Sequence, residues 1–547
     1  MKNEIDIKKW LKLKPYSTQT KTDYYYLRLC NTIKHMLRKP QYKVLKIYLG
    51  QKEINLFICF LVSYYEDIIS GTNIWNTFVK THYKLYKKRI PFFDTDDTNN
   101  NVNKQDVRFL VWYFLNTVQE EKFINPYNDF LLNIANTVGD LFEKMSGSAP
   151  INLVLKSYYN LKPEIADYYI VRNFIDNVLF RTYLFYPDTG LKISQVEREI
   201  YKDRIAEESF EPIKDFEKVL PYLQENRDDF ISKKCTRLLS LKGKEWAAEI
   251  LGENHSLYND IKNISQRISG FFLFRSADKH HAIIEHIASG REFNLIKEFY
   301  EQYNDLIKSD LIVYIGIVKW KDSWWFSGIT FNREFDADLI LDEKNSLEHR
   351  RQVAFLDFET DEMISLLDEQ RKNFLSFNNN SSIAFMPSAK INSFMKDFIS
   401  YHNARIHISE EEENDAIERL RKDGIIDNEA KIELDFSEDG GTALMFFNPK
   451  SGVEIVLNIN SAFPTKENPF FVKEESYEDV LHLLVSDQCS TELAMYCIDN
   501  YKTVLPFFTN DIGAKYLFDI DFLLRFWKTE NYHTFPTLTI TGKKEIK

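Results

Sequence analysis

The spacing of apolar residues, and the change in that spacing near residue 270, constrains the fold of this chain more than any other feature. Phe57, Ile58, Leu61, Val62, Tyr65, Ile68 and Ile69 follow Ile54 with the 3.6-residue period of an α-helix. The stripe returns at Val107, Leu110, Val111, Phe114 and Val118, and again at Leu131, Ile134, Ala135, Val138, Leu141 and Phe142. Helices with one apolar face each must bury it on one another, so residues 1–265 are expected to form a helical bundle. Residues 311–320 are instead a nearly unbroken apolar run rich in β-branched side chains, as a strand covered on both faces requires. Lys321-Asp322-Ser323 supplies a turn, and residues 324–331 return as a hairpin partner. Further strands are expected at 353–358, 382–386, 432–436, 443–447 and 453–459, and helices at 361–376, 389–402, 410–423 and 476–499. The expected class is α+β: a helical N-terminal region, 1–270, then a mixed α/β C-terminal region, 271–547, with a largely antiparallel sheet.

A chain of 547 residues exceeds one ordinary core, so two to four domains are expected. Gly (17) and Pro (15) are scarce, which argues against extensive disorder. The five cysteines, Cys30, Cys59, Cys235, Cys489 and Cys497, are scattered and form no CxxC, unlike a secreted disulfide framework or a structural zinc site. A cytoplasmic setting is therefore expected. Residues 1–14 carry no signal-peptide apolar core, and the longest purely apolar runs, 56–62 and 109–115, are too short to span a bilayer. No membrane partner is expected.

The net charge of −12 hides a split. Residues 1–90 hold 18 Lys/Arg against 6 Asp/Glu, so the remainder is strongly acidic. A basic head of this kind suits an anionic partner such as nucleic acid, or the protein's own acidic surface. The stretch Phe78-Val-Lys80-Thr-His82-Tyr-Lys84-Leu-Tyr-Lys87-Lys88-Arg89 mixes bases with aromatic rings, as nucleic-acid surfaces do. Lys80, Lys84, Lys87, Lys88 and Arg89 are accordingly the candidate phosphate contacts. The plainer reading is an amphipathic helix with its lysines in solvent.

No GxxxxGK[ST], GxGxxG or GxSxG motif occurs, which disfavours the usual phosphate loops and hydrolase elbows. His280-His281-Ala-Ile-Ile-Glu285-His286 invites a metal reading, but on a helix its histidines diverge, leaving His281 and Glu285 as a hydrogen-bonded pair. Phe355-Leu-Asp357-Phe-Glu359-Thr360 resembles the first motif of the DEDD exonucleases, whose carboxylates hold paired Mg²⁺. Tyr401-His402-Asn403-Ala404-Arg405-Ile406-His407 and His482-Leu-Leu-Val-Ser-Asp487 resemble the second and third. That resemblance implies Asp357, Glu359 and Asp487 as Mg²⁺ ligands and His482 as the base. Against it, His407 stands where a carboxylate is needed, and Thr360 with its neighbouring acids reads equally as a helix start. Ser409 and Glu412 read as a capping box, and Trp320, Trp324 and Trp325 as core rather than a stacking platform.

The opening Ile7-Lys-Lys-Trp10, Lys14-Pro-Tyr16 and Thr22-Asp23-Tyr-Tyr-Tyr-Leu27 resembles an uncharacterised, Bacteroides-type family, a domain of unknown function. Residues 316–325 and Ser382-Ile-Ala-Phe-Met386 are similar to it as well. The resemblance rests on aromatic, structural positions and implies no catalytic residue. The function expected is a binding or accessory protein without a recognisable active site and without a cofactor, contacting its partner through the basic head. The alternative is a divergent Mg²⁺-dependent exonuclease.

Overall fold

A computed structural model describes residues 4–94, 101–119, 124–205, 216–296, 311–354, 360–406, 414 and 441–533. The chain divides into two compact units, residues 1–267 with 316–330, and residues 268–315 with 331–547.

The first unit is helical: α1 (Ile7–Leu11), α2 (Asp23–Met36), α3 (Leu45–Tyr48), α4 (Gln51–Ser70), α5 (Ile74–Tyr86), α6 (Lys104–Val118), α7 (Asp129–Met145), α8 (Leu153–Tyr158), α9 (Tyr168–Arg181), α10 (Leu191–Ile205), α11 (Phe216–Lys233), α12 (Gly243–Leu251) and α13 (Tyr258–Lys262). The apolar stripes explain what packs where. In α7 the expected stripe is the buried face: Leu131, Ile134, Ala135, Val138 and Phe142 turn inward. In α4 and α6 burial goes beyond one face and takes in nearly every residue from Phe57 to Asp67 and from Asp106 to Thr117. Apolar residues all round a helix mean a central position. Phe57 and Phe60 of α4 meet Phe114 of α6 at ring distances of 5.2 and 5.3 Å. Gly71 ends α4 in the left-handed region at φ +60°, its N–H returning to the Asp67 carbonyl. Among the described residues no single helix is long and apolar enough to cross a membrane; α4 and α5 together meet that length and composition but bend by 89°.

Five strands form a closed barrel in the order β1-β2-β3-β5-β4: β1 (Ile268–Ala277), β2 (His281–His286), β3 (Glu292–Ile296), β4 (Ile312–Trp320) and β5 (Ser323–Arg333). β1 pairs with β2, and β2 with β3, antiparallel. The second unit continues with α14 (Ala337–Asn345), α15 (Leu347–Ala354), α16 (Thr360–Phe377), β6 (Ile383–Pro387), α17 (Ile391–Arg405), β7 (Thr442–Asn448) and β8 (Gly452–Leu457). β6, β7 and β8 make an antiparallel sheet, on which Phe374 of α16 and Phe398 of α17 pack against Phe447. Helices Ser476–Val485, Thr491–Tyr501 and Ile520–Trp527 follow. The architecture is α+β, with the helical half first.

Three local expectations are corrected. His281–His286 is a strand, and Glu285 bonds Arg275 at 2.7 Å rather than His281. Residues 353 and 354 end helix α15 instead of opening a strand. The single helix expected over 476–499 is broken at residues 486–490, where the Lys528 ammonium draws in the carbonyls of Ser486 and Cys489. The strand expected at 432–436, the Ser409–Glu412 box and, apart from residue 414, the helix at 410–423 lie outside the described residues.

Candidate anion-binding surface

Where the head puts its acids decides what its surface can bind. Its acids are Glu4, Asp6, Asp23, Glu53, Glu66 and Asp67. Three of them are buried. Asp23 accepts hydrogen bonds from Trp10 Nε1 (2.8 Å), the Tyr16 hydroxyl (3.0 Å) and the Thr20 N–H (2.6 Å). Glu66 takes the Lys14 ammonium and, at 2.8 Å, Asn152 Nδ2. The Lys14 ammonium also lies 3.9 Å from the centre of the Trp10 ring. Asp67 accepts from the Trp75 N–H (2.7 Å) and the Tyr183 hydroxyl (2.9 Å). The residues that carry the family likeness at the chain's start, Trp10, Lys14, Tyr16 and Asp23, therefore knit α1, α2, α4 and α8 from within. Their polar atoms are satisfied there, which is a structural role.

The acids turned inward leave cations outside. Between Asp23 and Glu53 the chain holds Arg28, Lys34, Arg38, Lys39, Lys43, Lys46 and Lys52 and no acid. Arg28, Lys39, Lys43, Lys46 and Lys52 are exposed, and none of these five makes an ion pair among the described residues. Three of them ride on one anchored turn. Tyr42, Leu45 and Leu49 are buried, and the Tyr42 hydroxyl bonds Thr137 of α7, so Lys39, Lys43 and Lys46 are held outward. Lys34 is buried beneath, and burial together with the charges of Arg38 and Lys9 brings its amine below the usual lysine range. Like charges crowded at one place favour an anion beside them.

The stretch 80–89 is differently disposed. Lys84 donates to Glu249 (2.8 Å) and Glu253 (2.6 Å); burial lowers its amine, but the two carboxylates outweigh that and raise it. Arg89 is bound to buried Asp106, which Trp75 Nε1 (2.7 Å) and the Tyr64 hydroxyl (3.1 Å) also contact. Lys88 is half-buried and its carbonyl meets His82 Nδ1 at 2.7 Å. Lys87 ends α5 in the left-handed region, its ammonium 3.3 Å from the Lys84 carbonyl. Lys80 and Lys87 are exposed. Lys84 and Arg89 of this stretch thus face the protein's own acids.

Asp357, Glu359 and His407 lie outside the described residues. His482 sits exposed in the last turn of helix Ser476–Val485, and Asp487 is exposed in the loop after it. His402 is buried in α17 against Asn373 at 2.9 Å, its pKa lowered by burial. Among the described residues no group of three His, Cys, Asp or Glu side chains could hold a metal ion. Trp320 and Trp325 are buried and Trp324 half-buried.

The described surface of the head is an anchored turn that presents cations, with three of its six acids folded inward. The chain belongs to a family of proteins of unknown function, DUF3843, whose model matches residues 4–317. The match takes in the head, the helical unit and the barrel through most of β4, and ends before the similar segment at 382–386. No curated protein and no solved structure matches the chain.

Proposed function

We propose that this is a nucleic-acid-binding accessory protein that seats a phosphate backbone on the turn between α2 and α4. The observation that carries the reading is the acid-free run from Tyr24 to Lys52, with Arg28, Lys39, Lys43, Lys46 and Lys52 exposed and without ion pairs among the described residues. Phosphate contacts supply affinity without sequence readout, so binding is expected to be weakly sequence-selective and steeply salt-dependent. One large apolar side chain, Ile47, is exposed on the same turn, too little for insertion into a lipid surface. The setting in this reading is the cytosol of a Bacteroides-type bacterium. The five cysteines, all thiols in the structure, favour a reducing compartment.

Fluorescence anisotropy with labelled single- and double-stranded DNA and RNA tests it. Five phosphate contacts predict a slope of about −4 to −5 for a duplex, and about −3.5 for a single strand, in a plot of log affinity against log salt. The K39E/K43E/K46E variant is expected to lose at least about tenfold in affinity and much of that slope, whereas K80E/K87E stays close to wild type. Wild-type affinity and slope in the triple variant, or binding to anionic lipid vesicles but to no nucleic acid, would overturn the proposal.

A further inference from the structure

Helix α12 begins with Gly243, where a β-carbon would stand 2.5 Å from Leu179 of α9. That close approach brings Lys242 and Lys244 to the wall of a recess of about 30 Å³ that opens to solvent. Ile231 and Val318 give the recess apolar walls. Its one carboxylate, Asp228, is already held by Arg172 Nε at 2.7 Å and by the Ser327 hydroxyl at 3.0 Å. Among the described residues Lys244 donates to a single acceptor, the carbonyl of Ile264, a residue that lines the same recess. Two cations and no free carboxylate therefore border a small, mostly apolar space.

We propose that Lys244 is a carbamylation site: its amine adds carbon dioxide to form a carbamate that faces Lys242 across the recess. The nitrogen lone pair forms an N–C bond to the carbon of CO₂, one C=O electron pair moves to oxygen, and the nitrogen releases one proton to solvent. No oxidant or further reactant is needed. The product keeps one N–H for the Ile264 carbonyl and replaces a cation beside Lys242 with an anion, so repulsion becomes attraction. CO₂ reacts only with uncharged amine. Burial, and then the charge of Lys242, bring the Lys244 amine down to about 8 against the opposing charge of Glu245, whose carboxylate already accepts the Lys242 N–H at 2.7 Å; that leaves roughly a tenth of the amine uncharged at pH 7. Lys528 supplies a contrast within the chain. Its amine is also brought down to about 8, by burial, but it donates to two carbonyls and its other neighbours are Cys489, Glu454 and Asp487. A carbamate there would meet negative charge.

The full chain equilibrated with ¹³C-bicarbonate, trapped by an alkylating oxonium reagent and mapped by peptide mass spectrometry, tests this. The label is expected on the Lys244 peptide and absent from the Lys528 peptide, with a carbamate carbon resonance that disappears in Lys244→Arg and falls several-fold in Lys242→Ala. The wild-type protein decides the matter even if a variant does not fold. An unlabelled Lys244 peptide in a sample whose α-amino group is labelled, or equal labelling of Lys244 and Lys528, would overturn the inference.

Discussion

A neutral imidazole sealed inside a protein ties stability to pH, and His286 and His82 do so most strongly here. His286 is fully buried, its Nδ1 2.9 Å from the Ser289 hydroxyl and its ring 5.0 Å from that of Phe272. Its Nε2 has no partner among the described residues and lies 3.3 Å from where a β-carbon on Gly270 would stand. Burial, then the charge of His349, lowers its pKa to about 4. His82, buried in α5, is lowered to about 4 as well, chiefly by burial. Both rings are neutral in the fold and protonate more readily in the unfolded chain. Their contribution is present above pH 6.5 and is lost as pH falls through about 4, up to about 3 kcal/mol each. In His286→Asn the slope of unfolding free energy against pH between 6.5 and 4.5 should drop by about one proton. An unchanged slope, read from urea unfolding across that range, would refute the assignment.

At the scale of elements, what the sequence showed and hid follows from what fixes each one. Helices α4, α6 and α7 were legible because their apolar period runs through three or more turns. β2 was not. Ala282, Ile284 and His286 point inward and Ile283 outward, so its inner face holds a small residue and a polar one, and its outer face an isoleucine. That hides a period of two. The 353–358 run is apolar at a length where strand and helix look alike, and tertiary contact decides: α15 lies on β1, Gln352 accepting the Ser269 N–H at 3.0 Å. The head was legible as charge but not as geometry, because sequence does not show which acids turn inward. The acid-free run after Asp23 was the available signal. Glu66 shows what those inward acids do. Replacing it with Ala strands the Lys14 ammonium, 1% exposed, without its partner. The cost expected is about 3–5 kcal/mol. The Lys14→Met/Glu66→Leu pair should cost far less than the two single changes together. A double-mutant cycle by denaturant unfolding measures this, and a cost under about 1 kcal/mol for Glu66→Ala would deny the network its role.

The whole molecule sets a last condition on the proposed binding. The chain carries −12 overall although its first 90 residues are basic, so a polyanion is attracted by one patch and repelled by the protein as a whole. The two effects differ in range. At 0.1 M salt the screening length is about 10 Å, and a phosphate seated on Lys39, Lys43 and Lys46 feels little else. At 0.01 M it reaches about 30 Å, and the acidic remainder is felt too. Affinity for a short duplex should therefore rise steeply as salt falls from 0.3 to 0.1 M and then level off or decline toward 0.01 M. A small basic domain alone would give one straight line. Anisotropy titrations across that range separate the cases. In K39E/K43E/K46E the steep limb should flatten while the low-salt decline remains, since the remote charge is untouched. A line that stays straight to 0.01 M in the wild type would mean that the acidic remainder never comes within reach of the bound strand, and the split in charge would then have no bearing on how this protein meets its partner.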